Sequence, residues 1–177
     1  MPVPRRTATL LCTAALFGCS GQPLSDVAAP DVLAPRLAAS DEPSGPSADG
    51  HVNWINPITL DEVHRSFHAI EKDGVVEGNV VQHNKVSGFW YKGDINCLRL
   101  LSPNEAVLSG PVRESSNSAL VGQTVIFRVG DGGEGSDDPP DRTSGLNVQP
   151  VGSPIDCKTF VNPVFTPIEG GNIQVKP

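Results

Sequence analysis

The pattern of apolar and polar positions changes twice along the chain. Thr7 to Phe17 is uncharged and largely apolar over 11 residues. Ser20 to Gly50 has no sustained period. From His51 onward, short apolar runs alternate with clusters of Gly, Pro, Asn, Asp and Ser, the pattern of a small antiparallel β protein. The clearest strand is Gln123–Val129: Val125, Phe127 and Val129 share one face, while Thr124 and Arg128 share the other. Ile126 sits on that polar face, so its far side is not fully exposed. Further strands are predicted over Arg65–Glu71, Val75–Gln82, Val86–Tyr91, Ile95–Leu101, Glu105–Val112 and Asn172–Lys176. Lys72-Asp73-Gly74 is a tight-turn signal between the first two. Lys92-Gly93-Asp94 and Ser102-Pro103-Asn104 punctuate the next connections. About seven to nine short strands imply an antiparallel β-sandwich or a small barrel, which periodicity does not separate. Thr59-Leu-Asp-Glu62 matches a capping box and suggests a short helix before the first long strand.

The leading segment is too short to span a membrane, which takes roughly 20 apolar residues. Arg5 and Arg6 ahead of it complete the layout of an export signal. Leu16-Phe17-Gly18-Cys19 resembles the lipobox of a bacterial lipoprotein, with Phe17 larger than is usual there. The resemblance implies cleavage before Cys19 and acylation of its thiol, anchoring the chain to the extracytoplasmic side of the cell envelope. Two or more acyl chains hold firmly where one holds reversibly. Ser20 follows the cysteine where Asp would signal retention, which in a Gram-negative cell implies the outer membrane. An ordinary secretory signal with Cys19 left as a free thiol is the alternative, and Arg5-Arg6 alone gives a twin-arginine signal little support.

Three parts follow: a signal peptide (1–18), a tether (19–50) and a β domain (51–177). Ser20–Gly50 holds five prolines, five acidic residues, one basic residue and no aromatic. Such a segment buries too little apolar surface to offset its ordering entropy, so a disordered tether reaching about 30 Å is expected. The whole chain carries a formal net charge of −7. Loss of Arg5 and Arg6 makes the mature protein more acidic, which disfavours nucleic acid and anionic lipid headgroups as partners.

Cys97 and Cys157 are the only cysteines in the β domain. In an oxidising compartment such a pair forms a disulfide, and this one would staple the Pro/Gly-rich C-terminal part onto a strand. Two reduced buried thiols are the alternative.

The segments Asp94-Ile-Asn-Cys97-Leu-Arg-Leu, Asn104-Glu-Ala-Val-Leu-Ser-Gly110, Gly122-Gln-Thr-Val-Ile-Phe127 and Gly171-Asn-Ile-Gln-Val175 resemble a group of uncharacterised secreted bacterial β domains. The resemblance covers roughly residues 64–176. It implies a β fold and an extracytoplasmic place, and it carries no activity or site residues.

Candidate chemistry is sparse. Asp131, Glu134, Asp137, Asp138 and Asp141 lie within eleven residues on a glycine-rich backbone. Such a loop can wrap Ca²⁺, which takes six to eight oxygens, although the spacing is not that of an EF-hand. A solvated connection between strands is the other reading. His64 and His68 would share a metal on a helix, but stand about 13 Å apart on a strand. His51 and His83 fall in loops. Trp90 alternates with Phe89 and Tyr91, so Trp90, with Trp54 upstream, is a candidate aromatic for a sugar or peptide ligand. There is no G-x-S-x-G elbow, H-E-x-x-H motif or phosphate loop. The sequence therefore predicts a lipid-anchored envelope domain with a structural or protein-interaction role and no catalysis. The alternative is an extracytoplasmic module binding Ca²⁺ or a small ligand. A cofactor is not implied beyond that Ca²⁺.

Overall fold

The computed structural model describes residues 45–135 and 137–177. The predicted signal peptide, the lipidation residue Cys19 and the tether up to residue 44 lie outside the described residues.

Period-two alternation builds the sheet. The strands are β1 (Ser47–Ile55), β2 (Glu62–Lys72), β3 (Val75–Asn84), β4 (Trp90–Asp94), β5 (Cys97–Ser102) and β6 (Glu105–Ser115). They continue as β7 (Thr124–Gly130), β8 (Arg142–Thr143), β9 (Asn147–Gln149), β10 (Thr166–Pro167) and β11 (Gly170–Lys176). All pair antiparallel in one 11-stranded sheet, ordered β10-β8-β7-β6-β4-β3-β2-β1-β11, with β5 also on β6 and β9 also on β7. The sheet is curled into a half-barrel, so the all-β antiparallel expectation holds. Eleven strands exceed the seven to nine expected because β1 and three strands of two or three residues join the seven foreseen.

β1 begins at Ser47, so the folded domain reaches four residues into the predicted tether. Ala48, Val52 and Trp54 point inward and are buried, opposite Ala69, Arg65 and Val63 of β2. Asp73 and Gly74 join β2 to β3 with φ of 50° and 77°, as a type I′ hairpin turn requires. The capping box forms no helix. Asn56 Oδ1 accepts from the amides of Ile58 and Thr59, and Glu62 already belongs to β2. Among the described residues the only helix is the 3₁₀ turn Ser118–Leu120. β4 starts four residues later than predicted, since the Asp61 carboxylate holds Val86 and Ser87 in a turn and Gly88 takes φ 69°. Lys92-Gly93-Asp94 is therefore strand, and the chain bends at Ile95-Asn96 instead.

The inner face carries the main core: Val52, Trp54, Val63, Phe67, Val80, Tyr91, Leu98, Leu108, Phe127, Val129 and Ile173 among others. Phe67 meets Phe127 edge-on with ring centroids 5.6 Å apart. A second, smaller core lies on the outer face, where Val107, Ile126, Cys97 and Cys157 are covered by Phe160. That explains Ile126: both faces of β7 are buried. Cys97 and Cys157 form the expected disulfide, with Cα atoms 5.9 Å apart, and it holds the irregular segment after β9 against β5 and β6. The Cys157 amide adds a bond to Ser109 Oγ. Closing a loop of 60 residues contributes about 4 kcal/mol in the chain-entropy account.

Candidate functional site

The acidic loop lies between β7 and β8, beside the far end of the sheet. Ile173 and Val175 of β11 send their side chains into the core, and their amides face away from β1, where a further strand would pair. No strand comes. Asp141 Oδ2 accepts from Ile173 N at 2.6 Å and Asp131 Oδ2 from Val175 N at 3.2 Å. The other oxygens turn back on the loop: Asp141 Oδ1 accepts from Gly132 N at 2.7 Å and Asp131 Oδ1 from Gly133 N at 2.9 Å. Asp138 Oδ2 takes Gly135 N at 2.7 Å, and Glu134 Oε1 takes the Asn172 amide group at 3.1 Å. Asp137 is exposed.

The predicted Ca²⁺ set is thus not gathered around one point. Two of its carboxylates act as a clasp that substitutes for a missing strand and joins the ends of the half-barrel. Among the described residues no group of three His, Cys, Asp or Glu is arranged to hold a metal ion. Each of these bonds satisfies a backbone donor that would otherwise be lost at a buried or half-buried edge.

Trp54, a predicted ligand aromatic, is 1% exposed and faces the core, so it is unavailable to a ligand. Its ring is one side of a stack on Arg65, which the sequence reading did not single out. The Arg65 guanidinium carbon lies 4.6 Å from the Trp54 ring centroid and 4.5 Å from that of Phe127. Arg65 is wholly buried without a carboxylate partner among the described residues. It donates to Gln82 Oε1 from Nε (3.1 Å) and Nη2 (2.8 Å), and across the interior to Thr143 Oγ1 and the Ser144 carbonyl, both at 3.0 Å. Burial drives its pKa down, and burial likewise pushes the buried Tyr91 hydroxyl up, the neighbouring guanidinium opposing it. Neutral acceptors and two π faces stand in for a counter-ion. The group is a strut between the β2–β3 hairpin and the chain just after the acidic loop. No described cavity opens onto it. Its signal in the sequence was phase: Arg65 falls on the same side of the strand as Val63 and Phe67.

Trp90 is half-buried on the outer face of β4, with the Lys92 ammonium 5.8 Å from its ring. Around it the outer sheet face holds all four histidines. His64 stands directly opposite His83, with His68 four residues further along β2 and His51 on β1 opposite Ser66, between them. His51 and His83 are strand residues, not loop residues. His51 Nδ1 and Ser66 Oγ share a hydrogen bond of 2.5 Å. This is the nearest approach to a base–nucleophile pair, yet no carboxylate orients the imidazole among the described residues. The neighbouring main-chain amides are spent in the ladder, leaving no oxyanion donors. An open depression beside the pair is lined by Asp49, His51, Phe67, His68, Asn172 and Gln174.

At the other end of the same strands, the β1–β2 and β3–β4 loops are bound together. Asp61, itself buried, accepts from Val86 N at 2.8 Å, Ser87 N at 3.2 Å and Ser87 Oγ at 2.6 Å. The Ser87 hydroxyl, opposed by burial and aided by the two amides, holds its carboxyl below the usual carboxylate range. Lys85 N donates to the Glu62 carbonyl, adding a second tie. On this rigid base stand Ile58, Leu60 and Val86, exposed by 81%, 75% and 81%. No sequence motif marked them, because isolated aliphatic residues among turn residues form no period.

No family model, no curated protein and no solved structure matches the chain.

Proposed function

We propose that the chain is a lipid-anchored domain of the bacterial cell envelope, held through Cys19 and acting in a structural or protein-interaction role rather than in catalysis. The observation that carries the reading is the Cys97–Cys157 disulfide, which suggests an oxidising, extracytoplasmic location. The export signal and the lipobox-like stretch would supply the route there, and the resemblance to uncharacterised secreted β domains fits it. Asp131 and Asp141 of the candidate acidic loop are engaged in holding the fold by clasping β11, and the buried Arg65 braces the interior. Metabolic labelling with radioactive palmitate tests the anchor. The account expects label on the processed chain, lost in Cys19→Ser. Unlabelled, uncleaved chain recovered from the cytosol would overturn it.

A further inference from the structure

We infer that the paired β1–β2 and β3–β4 loops insert their aliphatic tips into the surface of a lipid bilayer. Ile58, Leu60 and Val86 are the large apolar residues most exposed at this end. Pro57 and Ile58 also wall a small groove with Leu146 and Val164, which extends the apolar surface there. Leu60 holds φ 56°, a left-handed conformation in which Gly or Asn would be cheaper, while presenting its side chain to solvent. Asp61 locks the two loops to one another, so insertion needs no ordering of either.

Three observations select a bilayer over a protein. The tips lack Trp, Tyr and Arg, the types that dominate protein hot spots. Between Asn53 and Asp61, and between Asn84 and Trp90, the only charged residues are Asp61, which is buried, and Lys85. A lysine can lay its stem along apolar surface and keep its ammonium at the headgroups. Glu62, next to the loop, is compensated by Lys85 Nζ at 3.6 Å and shares a hydrogen bond of 2.8 Å with His64 Nε2. The turn at the opposite end of β2 and β3 carries Asp73, and Asp131 and Asp141, which would repel a membrane, are spent on the β11 amides.

Chain length permits insertion into the anchoring membrane. The described chain starts at the end opposite the tips, where the Glu71 amide donates to the Pro46 carbonyl. Cys19 to Gly45 can extend to about 90 Å, and the body from Ser47 to Ile55 measures only about 30 Å. The lipid of Cys19 and the loop tips can therefore enter one bilayer, laying the domain against it. In this same-membrane form the inference rests on the anchored reading, whereas tip insertion itself does not need the acyl chains.

The test therefore uses the exported Cys19→Ser chain, which carries no lipid, with vesicles of phosphatidylcholine and phosphatidylethanolamine. Co-flotation is expected, and a tryptophan placed by Leu60→Trp should be quenched by brominated lipid. The triple variant Ile58→Ser, Leu60→Asn, Val86→Ser should bind at least tenfold more weakly with an undiminished thermal midpoint, because all three side chains are exposed. Val75→Ser, at the opposite end, should bind as the parent does. Failure of the Cys19→Ser chain to float, or equal flotation of the triple variant, would overturn the inference. So would self-association without lipid that the triple variant abolishes, since the tips would then serve a second copy. None of these outcomes bears on palmitate labelling, so the two readings fail separately.

Discussion

Two regions of the half-barrel use the same device to present different surfaces. Along the β11 edge Asp131 and Asp141 accept main-chain amides and close the sheet, and the loop around them shows carboxylates to solvent. At the strand ends Asp61 accepts main-chain amides and fuses two loops, and what those loops show is aliphatic. In both places the carboxylate that matters for the fold points inward at N–H groups. The difference lies in what the backbone then carries outward. A run of acidic residues is therefore a poor sign of a cation site when a sheet edge lies within reach, and scattered aliphatic residues in turns are a better sign of an interaction surface than they look.

Arg65 braces β2 and β3 against the chain just after the acidic loop, and removing it gives the largest effect. Arg65→Ala leaves Gln82, Thr143 and the Ser144 carbonyl without their donor and opens a cavity between Trp54 and Phe127. A loss of about 3–5 kcal/mol is expected in denaturant unfolding. A loss under about 1 kcal/mol would mean the strut is dispensable.

Next comes the clasp. Asp141→Ala removes acceptors from Ile173 N and Gly132 N, each a charge-assisted bond. It should cost about 2–3 kcal/mol and loosen β11 before the rest of the sheet. If unfolding stays a single transition and is unshifted, the clasp is ornamental.

The apolar end responds to acid. Asp61 and Glu62 both have folded pKa values below their ordinary ones, the first chiefly through the Ser87 hydroxyl and the second chiefly through His64. A depressed carboxyl pKa contributes stability that is present above the unfolded value, about 4, and is lost as pH falls through the folded value. The thermal midpoint should therefore fall below about pH 4, and Asp61→Asn should flatten that slope. In the parent, the Val86 and Ser87 amide signals should move with the same titration. An unchanged slope in the variant would place the acid-sensitive group elsewhere.

The smallest effect has the opposite sign. Leu60→Asn relieves a left-handed aliphatic residue and should stabilise by about 0.5–1 kcal/mol. Destabilisation would show that the Leu60 side chain packs against the fold instead of projecting from it.

What the sequence could tell depended on whether the determinant was local. Strands such as Thr124–Gly130 and Val75–Asn84 alternate with β-branched residues, and the Asp73-Gly74 turn is written in two letters. β1 escaped notice because its inward positions 48 and 50 are Ala and Gly, so half of its apolar face is small. Gly50 is small for cause: a Cβ there would lie 2.8 Å from the Phe67 ring. The start of β4 was misplaced because Asp61, 25 residues upstream, decides where the turn ends. The disulfide was legible because its partners were the only pair in the domain. The clasp was hidden for the reason the start of β4 was: the amides that bind Asp141 and Asp131 lie 32 and 44 residues downstream. Trp54 looked like a ligand aromatic because no local pattern tells a ring facing Arg65 from one facing water.

The claim beneath this account is that the 131–141 carboxylates serve β11, and amide hydrogen exchange at Ile173 and Val175, read with and without millimolar Ca²⁺, tests it most directly. Both amides should be as protected as the interior ladder amides, with rates unchanged by Ca²⁺ and accelerated at Ile173 in Asp141→Asn. Fast exchange in the parent, or Ca²⁺ drawing the carboxylates away and releasing both amides, would contradict it.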